Sequence, residues 1–347
     1  MPRITATTGT QKRVLSMDRI LLAHGDGGLL THQLIEEIFL KAFDAEILCE
    51  MSDAAAIAGS EKMAFATDSF VVDPIFFPGG DIGKLAVAGT VNDLAVYGAE
   101  PQYLSVSFII EEGLPLTDLE KIARSLGETA RSAGVKIAAG DTKVVDRGKL
   151  DKVFINTSGV GRLLGPVSTP GNIQIGDLVI VSGNVGDHGA AIITRRAGID
   201  MESDLKSDCA PLNHIIVPMW KKFPGLRVMR DPTRGGMATA LKEIALDMKN
   251  DFEIREDEIP VDQRVRSAAE VLGLDPLYLA NEGKFIIIAA EDQAGEVVDF
   301  IRRFPEGKNA RIIGRVVPGK GDVKLKTALG GTKVLDMLAG DPLPRIC

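Results

Sequence analysis

The sequence predicts an α/β protein of the α+β type, built as two mixed lobes and not as one doubly wound sheet. Three observations carry this expectation. Strand-length apolar runs alternate with helix-period amphipathic stretches, but without a strict βαβ rhythm. The stretch 150–180 reads as antiparallel pairing. Pro and Gly cluster at 164–171, between two ordered halves of a 347-residue chain that is too long for one small core. The expected segments are therefore 1–42 (a loose polar start, a glycine loop and a first helix), 43–165 (an N-terminal lobe), 172–336 (a C-terminal α/β lobe) and 337–347 (a mobile tail).

The elements follow in order. Residues 1–13 are polar and Thr-rich, as a loose terminus is. After the glycine-rich run 24–28, Leu30, Leu34, Ile35, Ile38 and Phe39 recur at helical spacing over 29–43. A short strand over 62–67 ends at Asp68, and 81–97 reads as a helix so rich in Gly and Ala that something must pack closely on it. A strand over 103–110 precedes a helix whose Thr117 and Glu120 form a capping-box pattern. Strands follow at 135–139 and 153–158. In the second half, strand 178–181, the turn 182–189 and a helix to Ala197 lead to strand 226–230 and helices 235–248 and 263–272. Strand 285–290, helix 294–304 and strand 310–317 complete that lobe. Pro342 and Pro344 hold the last eight residues extended, a reach of about 25 Å.

Composition narrows the function. Apolar residues make up 45% and charged residues 25%, the profile of an ordinary globular protein, while 37 glycines imply many tight turns. The net charge of −8 and the absence of a basic stripe argue against nucleic acid as a partner. No apolar run is long enough to cross a bilayer and no signal peptide is evident. Cys49, Cys209 and Cys347 are odd in number and far apart, which fits neither a disulfide framework nor a cysteine metal site, so the cytoplasm is the expected location. His24, His32, His188 and His214 show no ligand spacing.

Standard nucleotide loops fail when tested. In 79–84 the first required glycine falls on Pro78, and Leu85 stands where a metal-binding hydroxyl belongs; 183–189 lacks the dinucleotide spacing. Acids are placed more suggestively. Asp68, Asp141 and Asp231 each follow an apolar strand, and Asp93 follows Asn92 in the Gly/Ala-rich helix. Carboxylates converging from strand ends hold Mg²⁺ against phosphates, although Asp231 before Pro232 is equally an ordinary helix cap. The glycine runs 24–28 and 182–189 are either phosphate-binding helix N-termini or simply tight turns. Cys347 is either an incidental last residue or a thiol with a use.

Taken together, the stretches AHGDGG (23–28), 66–87, GTVNDLAVYGAEP (89–101), GDTKVV (140–145), VSGNVGDHGAA (181–191), MRDPTRGG (229–236), LYLANEGK (277–284) and PRIC (344–347) resemble the HypE family of hydrogenase maturation proteins. That family comprises carbamoyl dehydratases within the wider aminoimidazole-ribonucleotide-synthetase-like ATP-binding superfamily. The likeness runs from residue 23 to the end, and PRIC is its most specific part. Asp26 stands where Ser is frequent, and the stretch 1–13 is longer than the resemblance leads one to expect.

The resemblance implies a mechanism. A carbamoyltransferase, HypF, loads a carbamoyl group onto Cys347, the tail enters a cleft between the lobes, and ATP drives dehydration to a thiocyanate. The cyanide then passes to iron on a HypC–HypD complex. ATP and Mg²⁺ are the implied cofactors. Gly25, Asp26, Gly27, Gly28, Asn92, Thr142 and the four aspartates are implied at the nucleotide, with Asp68, Asp93, Asp141 and Asp231 on the metal. Lys143 and Glu282 are the implied bases at the carbamoyl nitrogen, against the plainer readings of a surface lysine and a turn glutamate. A homodimer closing its N-terminal strands into a shared barrel is also implied. Two other readings compete: a related ATP-dependent enzyme acting on a free small substrate, and a non-catalytic assembly scaffold.

Overall fold

The computed structural model describes residues 18–25, 29–43, 57–165, 167–198, 205–338 and 345–347. The N-terminal part is one four-stranded sheet backed by helices. Its strands are β1 (Met63–Phe70), β4 (Ala99–Glu111), β5 (Lys136–Val145) and β6 (Val153–Leu163), in the spatial order β1-β6-β4-β5. Only β4 and β5 run parallel, as the intervening helix α4 (Leu116–Ala133) allows. β2 (Phe76–Phe77) and β3 (Gly80–Asp81) form a small hairpin leading into α3 (Ile82–Tyr97), which Asp81 caps by accepting from the Gly83 and Lys84 amides.

Alternation along the strands settles which residues face the helices. Ala64 and Phe70 of β1, Val153, Ile155 and Thr157 of β6, and Leu104, Val106 and Phe108 of β4 are all buried beneath α3 and α4. The opposite face carries Phe65, which is 70% exposed, and Ile109. Ahead of the sheet, α1 (Leu29–Leu34), a π-helical stretch (Ile35–Phe39) and α2 (Leu40–Phe43) pack Phe39 against Phe108, with ring centroids 4.8 Å apart.

The Gly and Ala content of α3 has the cause expected of it. A Cβ on Gly83 would stand 2.3 Å from the Ile122 carbonyl, and one on Gly159 would meet Thr90 and Leu94 of α3 at 2.9 Å. The capping box at Thr117 is not formed. Helix α4 begins two residues earlier than that cap implies, at Leu116 behind Pro115, and the Leu116 amide donates to the Asp18 carbonyl at 3.0 Å. Burial of Leu116 and Leu119 sets that boundary ahead of local capping chemistry.

The C-terminal part is a seven-stranded sheet in the order β13-β12-β9-β11-β7-β10-β8. Its strands are β7 (Leu178–Val181), β8 (Leu226–Arg230), β9 (Asp251–Arg255), β10 (Ile286–Ala289), β11 (Arg311–Val317), β12 (Val323–Lys326) and β13 (Thr332–Leu335), and only β9 and β12 pair in parallel. Both faces are covered. Val179, Val181, Ile286 and Ile288 meet α7 (Gly236–Met248), whereas Ile180 and Ile287 meet α6 (Asn213–Lys222) and α9 (Glu291–Ile301). This explains the unbroken apolar runs of β7 and β10, which the sequence shows without alternation. Helices α5 (Asp187–Arg196) and α8 (Gln263–Leu272) pack toward the N-terminal core. Ala95 and Val96 of α3 enter the C-terminal core, and the Trp220 indole donates to the Ala95 carbonyl at 3.0 Å, so α3 belongs to both parts.

Gly83→Ala is expected to cost about 1–3 kcal/mol through overpacking against α4. Gly134→Ala is expected to cost about 1 kcal/mol, from backbone strain alone, since its φ is +69° and open space surrounds it. Urea unfolding of the two variants measures both.

Candidate functional site

Three of the four predicted acids converge. Asp68 sits on the helix-facing side of β1, paired in register with the buried Thr157; Asp93 lies on α3 above it, and Asp231 follows β8. Together with Ser168, Arg230 and Arg234 they line a cleft of about 1220 Å³ between the two sheets. Asp93 and Asp231 share a hydrogen bond, and burial, reinforced by Asp231 and Asp68, pushes the Asp93 carboxyl up to about 8. Burial raises Asp231 as well, and its Oδ2 has no hydrogen-bond partner among the described residues. Asp231 does not cap α7, whose N-terminal flank is Gly235. Two buried carboxyls in contact need a shared proton or a cation between them.

The residues fit Mg²⁺ on that ground. An orphaned buried carboxyl oxygen beside two further acids is what a hard cation with oxygen ligands would satisfy. Among the described residues no three His, Cys, Asp or Glu side chains are gathered closely enough to hold a metal ion by themselves, so phosphate oxygens would have to complete the shell.

Asp141 is elsewhere. It lies on β5, in the register row of Ser107, Asn156 and Ser69, one residue beyond the row that holds Asp68. Side chains alternate, so Asp141 points to the outer face of the sheet, three strands and about 14 Å from β1. Its carboxylate pairs with Lys143 at 2.6 Å, and that lysine holds it below the usual carboxylate range. Both side chains are exposed. Thr142 between them is half-buried on the helix-facing side, opposite Phe108. Gly25 packs onto this same edge: a Cβ there would be 2.5 Å from the Val144 amide nitrogen. Asp26, Gly27 and Gly28 lie outside the described residues.

Asn92, implied at the nucleotide, braces backbone in this structure. It is buried, its Nδ2 donates to the Ala210 and Glu282 carbonyls at 3.0 and 3.4 Å, and its Oδ1 accepts from the Leu212 amide at 2.7 Å. Both amide protons are thus taken by backbone carbonyls, and one lone pair of Oδ1 remains.

Glu282 stands behind the acids and is fully enclosed. Burial first, then Asp231, Asp208, Asp68 and Asp93, pushes its carboxyl well above the usual range, and its Oε1 has no hydrogen-bond partner among the described residues. In this state Glu282 is a neutral acid; it becomes a base only once positive charge enters the cleft. Its amide donates to Asp208 Oδ1 at 3.1 Å, and Asp208 pairs with the buried Lys284 at 3.4 Å. Gly283 is obligatory here, because a Cβ would collide with the Asp208 carbonyl.

The tip of the tail, expected to be mobile and to enter a cleft, is seated. Residues 345–347 run antiparallel to the segment after β1: the Val71 amide donates to the Cys347 carbonyl at 3.1 Å and the Asp73 amide to the Arg345 carbonyl at 3.2 Å. The Arg345 guanidinium donates to the Val71 carbonyl and to Asp151, at 2.9 and 2.8 Å. Arg196 donates to the Arg345 carbonyl at 2.8 Å, and the His188 ring meets the Ile346 carbonyl at 2.9 Å. Ile346 is buried and Cys347 half-buried. This seat begins three residues past Asp68. Sequence reading passed over His188 and Arg196, because the histidines were weighed only as metal ligands; the local signal was a histidine opening α5 after a glycine turn.

Comparison with known proteins follows the same division. Models of the AIR synthase related protein N-terminal and C-terminal domains match residues 51–163 and 174–326. Carbamoyl dehydratase HypE of Cupriavidus necator is 46% identical, over 99% of each chain. That of Escherichia coli strain K12 is 45% identical over 95% of this chain and 100% of the relative. The crystal structure of hydrogenase maturation protein HypE in complex with ATP superposes with a TM-score of 0.92 at 46% identity, over 94% of this chain and 99% of that one. A HypE–HypF complex gives 0.77 at 45% identity, over 88% and 99%. Thiamine monophosphate kinase of Aquifex aeolicus, at 16% identity and 0.61 over 87% and 97%, shares the fold alone.

The raised Asp93 carboxyl has a pH consequence. Its folded value of about 8 lies above the ordinary 3.8, so the folded state gains protons and its stability falls as pH rises from about 4 to about 8 without a cation. Asp93→Asn removes that dependence while keeping a donor toward Asp231. Thermal denaturation in chelator at pH 6 and pH 8.5 should show a smaller drop for the variant than for the parent.

Proposed function

The chain belongs to the HypE family of carbamoyl dehydratases in hydrogenase maturation, and from this we propose that it dehydrates a carbamoyl group carried on its own Cys347 to a thiocyanate, at the expense of ATP. The observation that carries the reading is the seating of Cys347 on Val71, just past the end of β1 and three residues on from Asp68 of the acidic cleft. A diffusible substrate would need no such seat.

The carbamoyl oxygen attacks the γ-phosphorus of ATP, one N–H proton leaves, and an imidoyl phosphate and ADP result. The C–O bond then breaks with loss of the second N–H proton, giving phosphate and the S–C≡N group. An amide oxygen is a weak nucleophile, so alignment and charge neutralisation carry the first step. Asp68, Asp93 and Asp231 would hold Mg²⁺, which when bound neutralises triphosphate charge. Positive charge arriving there lowers Glu282 toward its ionised form, and the carboxylate accepts a proton from the nitrogen. The family relatives support HypF as the donor of the carbamoyl group; a HypC–HypD complex carrying iron is the proposed acceptor of cyanide.

Lys143 and Asp141 enter through a second copy of the chain. The two edges of the four-stranded sheet are β1, bearing Asp68, and β5, bearing Asp141 and Lys143. A homodimer that joins the β1 edge of one copy to the β5 edge of the other closes a barrel, covers Phe65 and Ile109, and leaves neither edge open. It brings the β5 edge of one protomer, which carries Asp141 and Lys143, against the β1 edge of its partner, which carries Asp68.

Two measurements test this. Mass spectrometry of carbamoyl-loaded protein should show the Cys347 adduct lose one water on addition of Mg-ATP, and show no adduct in Cys347→Ala; an unchanged mass in folded protein rejects the reaction. Asp68→Asn and Lys143→Ala chains should each be inactive alone. Co-expressed, they should recover about a quarter of parental activity, because half the dimers are mixed and each mixed dimer has one intact site. No recovery places the site within one chain.

A further inference from the structure

We infer that His188 is the positioning residue for the tail, and that the segment 207–210 is a bracket setting the tail and Glu282 in register with each other. The inference rests on Cys347 being the loaded thiol and adds the device that holds it.

The hydrogen bonds around His188 allow one assignment. Nε2 faces the Ile346 carbonyl, which only accepts, so Nε2 carries the proton. The ring is fully buried and burial keeps it neutral, so Nδ1 is an acceptor. Its partner at 2.7 Å is the Ser207 hydroxyl, which therefore donates to Nδ1 while its oxygen accepts from the Cys209 amide at 3.0 Å. A directed chain runs from the 207–209 backbone through Ser207 and His188 to the last peptide of the tail. Phe77 packs edge-on against the imidazole at 5.4 Å and fixes the ring plane.

The same segment holds Glu282 from its other side. Asp208 accepts from the Glu282 amide, the Ala210 amide donates to the Glu282 carbonyl at 3.3 Å, and Asn92 ties both carbonyls to α3. Consecutive residues thus grip the tail and the proposed base. A displacement of 207–210 moves both together, so thiol-borne substrate and base keep their separation. Neither His188 nor Ser207 needs to touch the reacting atoms.

The test uses the full chain and two cysteines as internal standards. Cys347 is half-buried through the seat, whereas Cys209 is buried in the core. Alkylation by a small maleimide, followed residue by residue by mass spectrometry, reads seat opening separately from unfolding. His188→Phe fills the ring volume without either hydrogen bond; Cys347 should label about 3- to 10-fold faster, with Cys209 unchanged. His188→Gln, which restores a donor toward Ile346, should return the rate most of the way, and Ser207→Ala should accelerate it less than His188→Phe. The first-turnover rate of dehydration should fall in step with seat opening while ATP affinity stays level. An unchanged Cys347 rate in folded His188→Phe overturns the inference. Labelling needs no carbamoyl group, so its outcome is independent of whether the proposed reaction occurs.

Discussion

Everything in the cleft turns on a buried contact between like groups, the hydrogen-bonded carboxyls of Asp93 and Asp231 with Asp68 beside them. Burial makes charge expensive there, and a second carboxylate makes it more so. The fold keeps the contact because α3 cannot move: it is packed through glycine against α4 and the first sheet, and through Ala95 and Val96 against the second. A rigid scaffold thus holds an arrangement that costs stability when empty and is relieved by positive charge. Glu282 is governed by the same field, which links its protonation to what occupies the cleft.

The route from Glu282 to Cys347 is short in space and long in sequence. Residues 281–284, 207–210, 188 and 345–347 come from four separate segments, and the polar groups connecting them are buried. Buried hydrogen bonds of this kind cost much to break singly and specify position well. Under the proposed reaction, tethering the substrate to the chain replaces a binding step with a conformational one, so alignment of the thiol is set by the seat and not by concentration.

Much of the site was legible from local sequence, and the exceptions share a cause. Asp68, Asp93 and Asp231 end or interrupt apolar elements, a pattern visible in one dimension. Asp141 shows the same pattern yet sits on the outer face, since β5 continues as a strand through Lys143 to Val145 and alternation turns Asp141 away. Asn92 braces backbone through three hydrogen bonds, which in sequence look the same as a polar group awaiting a ligand. The 117–120 box gave way to tertiary burial of Leu116 and Leu119. Strands β9, β12 and β13 and helix α6 were not singled out, the strands being short and charge-rich and α6 carrying Pro218 within it. His188 escaped because its role is to bind a piece of the chain more than 150 residues away.

The energetics of the seat suit a carrier. Six hydrogen bonds, from Val71, Asp73, Arg196 and His188 to the tail backbone and from Arg345 to Val71 and Asp151, contribute about 1 kcal/mol each after exchange with water. Ordering the backbone of three residues costs about 3–6 kcal/mol, and burial of Ile346 returns about 2. The balance is a few kcal/mol in favour of docking. In the proposed reaction, a seat much stronger would hold the thiol away from a loading partner, and a seat much weaker would leave it unaligned. Arg345, held in the left-handed region at φ 59°, turns its carbonyl toward Arg196 at a backbone cost that glycine would avoid, and its guanidinium recovers that cost through Asp151 and the Phe154 ring. Arginine at this position therefore serves grip and release at once: its side chain anchors the tail, and its strained backbone keeps the anchor from becoming permanent.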